Sequence, residues 1–182
     1  MVKAFVRQFA LVEGHMKPIF AAYWNICLLR QGPEFVPTHP LFVGGVIIAD
    51  ICLSFFFGVQ YGTPGTLLQE ATETFVTMAT LSGAIWIALN ARGVIARYPA
   101  TIAAMFGCDL LFNLTYVMLV PLTGGVTSPI IMGVSALLGL WSIAVNGFIL
   151  HRAMNVTLFI GIFVAFCVTL LAFALSNAAG GR

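Results

Sequence analysis

Charge is what this sequence has least of. Only 8% of its 182 residues are Asp, Glu, Lys or Arg, against about 25% in a soluble domain. Hydrophobic residues make up 60%, and the mean hydropathy is +1.03. So few charges cannot cover a water-facing surface, so the chain is a polytopic membrane protein whose first partner is the lipid bilayer. A formal net charge of +2 is too small to attract nucleic acid, which excludes that partner.

Other absences narrow the chemistry. Cys27, Cys52, Cys108 and Cys167 show neither CxxC nor zinc spacing, so they read as free, hydrophobe-like thiols. His15, His39 and His151 lie near one edge of the spans. Asp50 with Cys52, and Cys108 with Asp109, stand one or two residues apart and do not share a helix face. No metal site is expected. The sequence has no His-Glu zinc pattern, no glycine-rich phosphate loop and no nucleophile elbow. The GxGD motif of aspartyl intramembrane proteases is replaced by "GCD" and "IAD". The expectation is a protein without cofactor and without catalysis. No cleavable signal peptide is expected, because Glu13, His15 and Lys17 interrupt the first apolar stretch.

What the sequence does have is long apolar runs. A helix needs about 20 apolar residues to cross a bilayer, and five stretches qualify: 41–61, 68–90, 100–120, 130–150 and 155–176. Pro40, Pro64, Pro99, Pro121 and Pro129 fall at span edges, where a missing N–H costs least. The linkers "GTPGT", "ARGVIARYP", "PLTGGVTSP" and "HRAMN" are short enough to hold neighbouring helices antiparallel. The predicted fold is all-α: an N-terminal amphipathic interfacial helix with a Pro-rich elbow over 1–40, a five-helix transmembrane bundle over 41–176, and a short external tail over 177–182. Small residues four apart (Gly45 and Ala49, Ala79 and Gly83, Ala103 and Gly107, Gly161 and Ala165) predict close helix approach.

Basic residues orient the spans. Lys3, Arg7, Lys17, Arg30, Arg92, Arg97 and Arg152 fall on one side and Arg182 on the other. The positive-inside rule then predicts a cytoplasmic N-terminus and a periplasmic C-terminus in a bacterial inner membrane. In the first 30 residues, Phe5, Phe9, Val12, Met16, Ile19, Tyr23 and Cys27 recur at steps of three and four. This is an amphipathic stripe too polar at its start to span. It serves either as a surface anchor, with Tyr23 and Trp24 at headgroup depth, or as a docking face for another subunit, with Phe5, Phe9, Tyr23 and Trp24 as anchors.

Two carboxylates break the apolar runs. Asp50 and Asp109 are each about the tenth residue of a span that runs in the same direction, so they should share one depth near the midplane. Asn113 and Tyr116 lie on the face of Asp109, and Ser54 on that of Asp50. Glu70, Glu73, Thr77 and Thr80 descend span two, and Ser135, Gly139, Ser142 and Asn146 line span four. Polar faces turn away from lipid. With no Lys, Arg or His at that depth, a carboxylate in hydrocarbon takes up a proton rather than staying charged. The expectation is a hydrogen-bonded cluster of Asp50, Thr80, Asp109, Asn113 and Ser142. It acts either as a clamp between helices or as a proton or cation site with Glu70 and Glu73 at its outer entrance. The absence of mid-span breaks weighs against transport. The preferred reading is a small non-catalytic subunit or assembly partner of a larger membrane complex.

The stretches "CLLRQGPEFVPTHPLF" and "LLGLWSIAVNGFILHRAMNV" carry a resemblance. With their L-x-R-x-G-P-x-x-x-P and W-S-x-A-V-x-G-x-I patterns, they resemble uncharacterised small multispan inner-membrane proteins of proteobacteria. The five-span layout is similar to that of Yip-type proteins in topology alone. The resemblance covers much of residues 26–176 and implies location and topology, with no activity to carry over. It also implies that Asp50 is peculiar to this chain, and that residues 1–22 are an addition.

Overall fold

The computed structural model describes residues 19–61 and 67–180. Helix α1, over 19–27, leads through a 3-10 turn at Pro33–Phe35 into α2 (Pro40–Tyr61). Then come α3 (Leu67–Ala91), a second 3-10 turn at Ile95–Arg97, α4 (Tyr98–Leu122), α5 (Pro129–Met154) and α6 (Leu158–Ala179). Among the described residues there is no strand. The five helices α2 to α6 are long and apolar enough to cross a membrane, so the chain is an all-α membrane protein.

Local chemistry explains the boundaries. Proline stands in the first turn of α4 and of α5, where its fixed φ favours the helix and its missing N–H is not needed. Pro121 lies inside the last turn of α4, and the glycines that follow, Gly124 and Gly125, take φ of 90° and 101° to turn the chain. Leu29, with φ 59°, closes α1, and the Arg30 N–H returns to the Asn25 carbonyl at 2.9 Å. The "HRAMN" stretch, expected as a linker, is helical through Met154. Asn155 ends α5 in the left-handed conformation. Arg97 Nη1 donates to the carbonyls of Arg152 (3.2 Å) and Ala153 (3.1 Å) and to Asn155 Oδ1 (3.2 Å). A cation satisfying the last carbonyls extends the helix it caps. Helix α6 likewise runs into the expected tail, as far as Ala179.

Helix α6 lies against α5 and α3, α2 against α4, and α4 against α5. The α5–α6 contact is backbone on backbone. A Cβ on Gly147 would stand 2.6 Å from Ile162 Cα, and one on Gly161 would overlap the Gly147 carbonyl and stand 2.8 Å from His151 N. Gly161, Ala165, Ala172 and Ser176 form the buried face of α6, while Phe159, Phe163 and Phe173 point outward. Ala103 and Gly107 are also closely packed, against the Tyr23 ring, but the remaining two pairs differ. Gly45 and Gly83 have open space where a Cβ would be, so they mediate no helix contact within the chain.

The main connected core lies in one half of the bundle. The core joins Ile85 and Leu89 of α3, residues 102–106 and Cys108 of α4, and Val145, Ile149, Leu150, Ala153 and Met154 of α5 to Tyr23, Ile26 and Cys27 of α1. This is the end at which Arg30, Arg92, Arg97 and Arg152 cluster. Toward the other end, α5 exposes Ile130, Met132, Leu137 and Leu140, and its distance from α4 opens a groove.

Candidate functional site

Asp50 is the only buried side chain among those described on α2, at 3% exposure. Every other described residue of that helix is at least partly exposed. Beside Asp50, the partly buried Phe42, Val43, Val46 and Ile47 pack against the core, and the helix leaves Ile48, Ile51, Phe55 and Phe56 exposed. Asn113 Nδ2 donates to Asp50 Oδ1 at 3.1 Å, tying α2 to α4. Four residues earlier on α4, Asp109 Oδ1 accepts from Ser142 Oγ at 3.3 Å, tying α4 to α5. Ser142 in turn accepts from Asn146 Nδ2 at 3.5 Å. Helix α4 thus holds both links, because Asp109 and Asn113 sit one turn apart on one face. One turn higher, the rings of Tyr116 and Phe57 meet at 5.3 Å, continuing the α2–α4 seam with apolar contact.

The second link borders open space. A cavity of about 260 Å³ lies between α4 and α5, lined by polar Asp109, Asn113, Tyr116, Ser135 and Ser142 and by Gly139. Asp109 is half-buried, and Ser135 and Gly139 are exposed. Asn146 is buried, at 7% exposure, and its Oδ1 has no hydrogen-bond partner. An orphan acceptor in an apolar setting costs about 1–3 kcal/mol, so this end of the network has capacity to spare.

The expected cluster is thus assembled in four of its five members: Asp50, Asn113, Asp109 and Ser142. Thr80 is half-buried on α3, and no hydrogen bond joins it to the others among the described residues. Asn146 and Tyr116 belong with the cluster, and their spacing on the faces of Ser142 and Asp109 signals it. Glu73 does not line the groove. It accepts from Gln69 Nε2 at 3.0 Å and lies against Gly180 at the end of α6, so it helps join α3 to α6 rather than forming an entrance. The Glu70 side chain, like Phe5 and Phe9, lies outside what the structure describes.

The docking face also changes. Tyr23 is buried, not exposed to a partner: its ring fills the space a Cβ on Gly107 would take, and its hydroxyl donates to the Ala103 carbonyl at 3.1 Å. Burial, with Cys108 nearby, pushes the Tyr23 phenol above its ordinary value, so it stays a neutral donor. Trp24 is exposed and stacks on Phe20, with ring centroids 6.3 Å apart. With Leu28, these residues form an outward stripe at four-residue steps, on the face opposite Tyr23, Ile26 and Cys27. Trp141 Nε1 donates to the Cys27 carbonyl at 3.0 Å, holding α1 to α5.

Among the described residues no group of three His, Cys, Asp or Glu side chains stands together as a metal site. All four cysteines are free. Cys27 and Cys108 are buried, whereas Cys52 and Cys167 are exposed on the outward faces of α2 and α6. Comparison with known proteins finds no matching family model, no matching curated protein and no matching solved structure.

Proposed function

We propose that this protein is a non-catalytic integral subunit or assembly partner of a larger membrane complex, and that the groove between α4 and α5 receives a transmembrane helix of its partner. The observation that carries the reading is the polar groove itself. Asp109, Asn113 and Ser142, near the middle of their spans, and Ser135, nearer a span edge, face open space. Each already makes at least one hydrogen bond within the chain, and hydrocarbon leaves their remaining capacity, like the orphan Asn146 Oδ1, unused at a cost. A neighbouring helix with a hydrogen-bonding side chain takes up part of that capacity, and each interhelical bond contributes about 0.6–2 kcal/mol. The wide apolar surface of α5 beside the groove, at Leu137 and Leu140, supplies packing area for the same helix. The basic residues gathered at one end support a bacterial inner-membrane location with the N-terminus cytoplasmic and the C-terminus periplasmic.

A second reading rests on the two carboxylates. Asp50 bonds to Asn113, one turn from Asp109 on α4, and Asp109 borders an open cavity, as a proton- or cation-coupled transporter or channel would require. One experiment separates the two. The protein is extracted in mild detergent and its co-purifying proteins are identified by mass spectrometry, for the wild type and for Gly139→Trp. Filling the groove releases a docked partner while the chain itself remains folded. A partner retained by Gly139→Trp, or no stable partner at all, removes the docking proposal. Proton uptake by proteoliposomes that Asp50→Asn abolishes would establish the transport reading instead.

A further inference from the structure

The chain has eight basic and six acidic residues, and three of these fourteen line a single cavity. That cavity, of about 400 Å³, lies at the packed end of the bundle, where the turn at Pro33–Phe35, the turn before α4 and the end of α5 converge. Glu34, Arg97, Thr101, Arg152 and Asn155 give it polar walls, and Pro33, Ala96, Ala100 and Ala153 line the rest. The ends of spanning helices mark the depth of lipid headgroups.

The charges in the cavity are held in place yet unspent. Arg97 is fixed by the three bonds from Nη1 to the end of α5, and none of its other nitrogens is engaged among the described residues. The Arg152 guanidinium stands 5.6 Å from the centroid of the Phe148 ring. Neither arginine forms an ion pair with a carboxylate among the described residues. The Glu34 carboxylate folds back over Gly32, where a Cβ would overlap it, and likewise meets no cation there. Two cations and one anion therefore face one space without neutralising each other.

We propose that this cavity binds a phosphate ester carrying a primary ammonium, the headgroup chemistry of a phosphoethanolamine lipid. The forked donors of Arg97 and Arg152 match phosphate oxygens. The Glu34 carboxylate meets the ammonium. A headgroup with phosphate and no cation, such as phosphoglycerol, satisfies the arginines but sets its negative charge against Glu34. The preference is modest, because all three side chains are exposed and exposed ion pairs are screened.

The test uses the full chain, purified in mild detergent and stripped of lipid, with bound lipid counted by native mass spectrometry. Phosphatidylethanolamine and phosphatidylglycerol of identical acyl chains compete at equal concentration. Wild-type protein should retain the ethanolamine lipid about two- to fivefold better. Glu34→Gln should equalise the two lipids, and Arg152→Gln should lower retention of both. Gly32→Ala should also equalise them, because it displaces the Glu34 carboxylate without removing its charge. Soluble O-phosphoethanolamine and inorganic phosphate serve as competitors. If O-phosphoethanolamine binds as tightly as the lipid, the headgroup chemistry stands and the source is a free metabolite. Equal retention of the two lipids by the wild type overturns the proposal, as does a preference that survives Glu34→Gln. Circular dichroism and size-exclusion profiles identify any variant that has lost its fold. The Glu34→Gln and Gly32→Ala arms do not depend on Arg152, and none of the arms depends on a partner helix in the α4–α5 groove.

Discussion

Replacing Asp50 and Asn113 singly and together measures the link between α2 and α4. Their bond at 3.1 Å is the only side-chain hydrogen bond from α2 to another helix among the described residues, and Asp50 is the only buried side chain described on α2. Asp50→Leu removes the acceptor and leaves the Asn113 amide without it. The lost bond contributes about 0.6–2 kcal/mol, and an orphaned donor adds to the cost, so a destabilisation of about 1–2 kcal/mol is expected. Asn113→Leu should cost a similar amount for the converse reason. The double variant should cost less than the sum, because replacing both partners by apolar groups removes the unsatisfied group. Asp50→Asn keeps a donor and an acceptor in the same shape and should cost less than about 0.6 kcal/mol. Reversible unfolding of the purified chain in mixed micelles, followed by near-UV circular dichroism, reads all four variants. Additive single effects would refute the pairing. Equal losses for Asp50→Asn and Asp50→Leu would show that the site requires a carboxylate, not merely a hydrogen-bonding group.

Two further outcomes follow from the packing and the charge pattern. Gly161→Ala should destabilise by about 1–3 kcal/mol in the same assay, because its Cβ meets the α5 backbone rather than a movable side chain. Gly83→Ala, with open space around it, should cost nothing. Reporter fusions at Gly93, Gly125 and Arg182 should read cytoplasmic, periplasmic and periplasmic. A cytoplasmic reading at Arg182 would remove the five-span orientation.

The spans were legible because hydrocarbon imposes one rule on a whole segment: length and apolarity suffice, and five stretches meet it with few rivals. The inward turn of Asp50 was legible for a related reason, since a carboxylate has only one tolerable side of a spanning helix. Which helix supplies its partner was not legible. Thr80 and Asn113 both stand at a suitable depth, and the choice depends on rotations about the helix axes that periodicity does not fix. Small-residue spacing had the same weakness. Gly161 and Gly45 sit in similar patterns, yet one meets backbone and the other open space, because the pattern does not say whether a neighbour is present. The burial of Tyr23 is not legible in the sequence, because α1 is apolar on two faces. Phe20, Trp24 and Leu28 make an equally apolar face, and sequence alone does not rank two such faces. Arg97 read as a topological charge, and its capping of α5 depends on a contact made 55 to 58 residues along the chain.

The position of α1 sets an order of assembly. Its two anchoring hydrogen bonds join residues 80 and 114 positions apart in the sequence. During synthesis α1 emerges before its partners: the Ala103 carbonyl and the Gly107 notch exist only after α4 has emerged, and Trp141 only after half of α5. Helix α1, made before α2 to α5, therefore finds its seat only after α4 and half of α5 exist. Until then Tyr23, Ile26 and Cys27 lack the surface that buries them, and α4 carries an unfilled notch at Gly107. Closing so long a loop is slow compared with the pairing of adjacent helices. This interval leaves α1 exposed to insertion factors, to lipid and to neighbouring chains before it locks the packed half of the bundle shut.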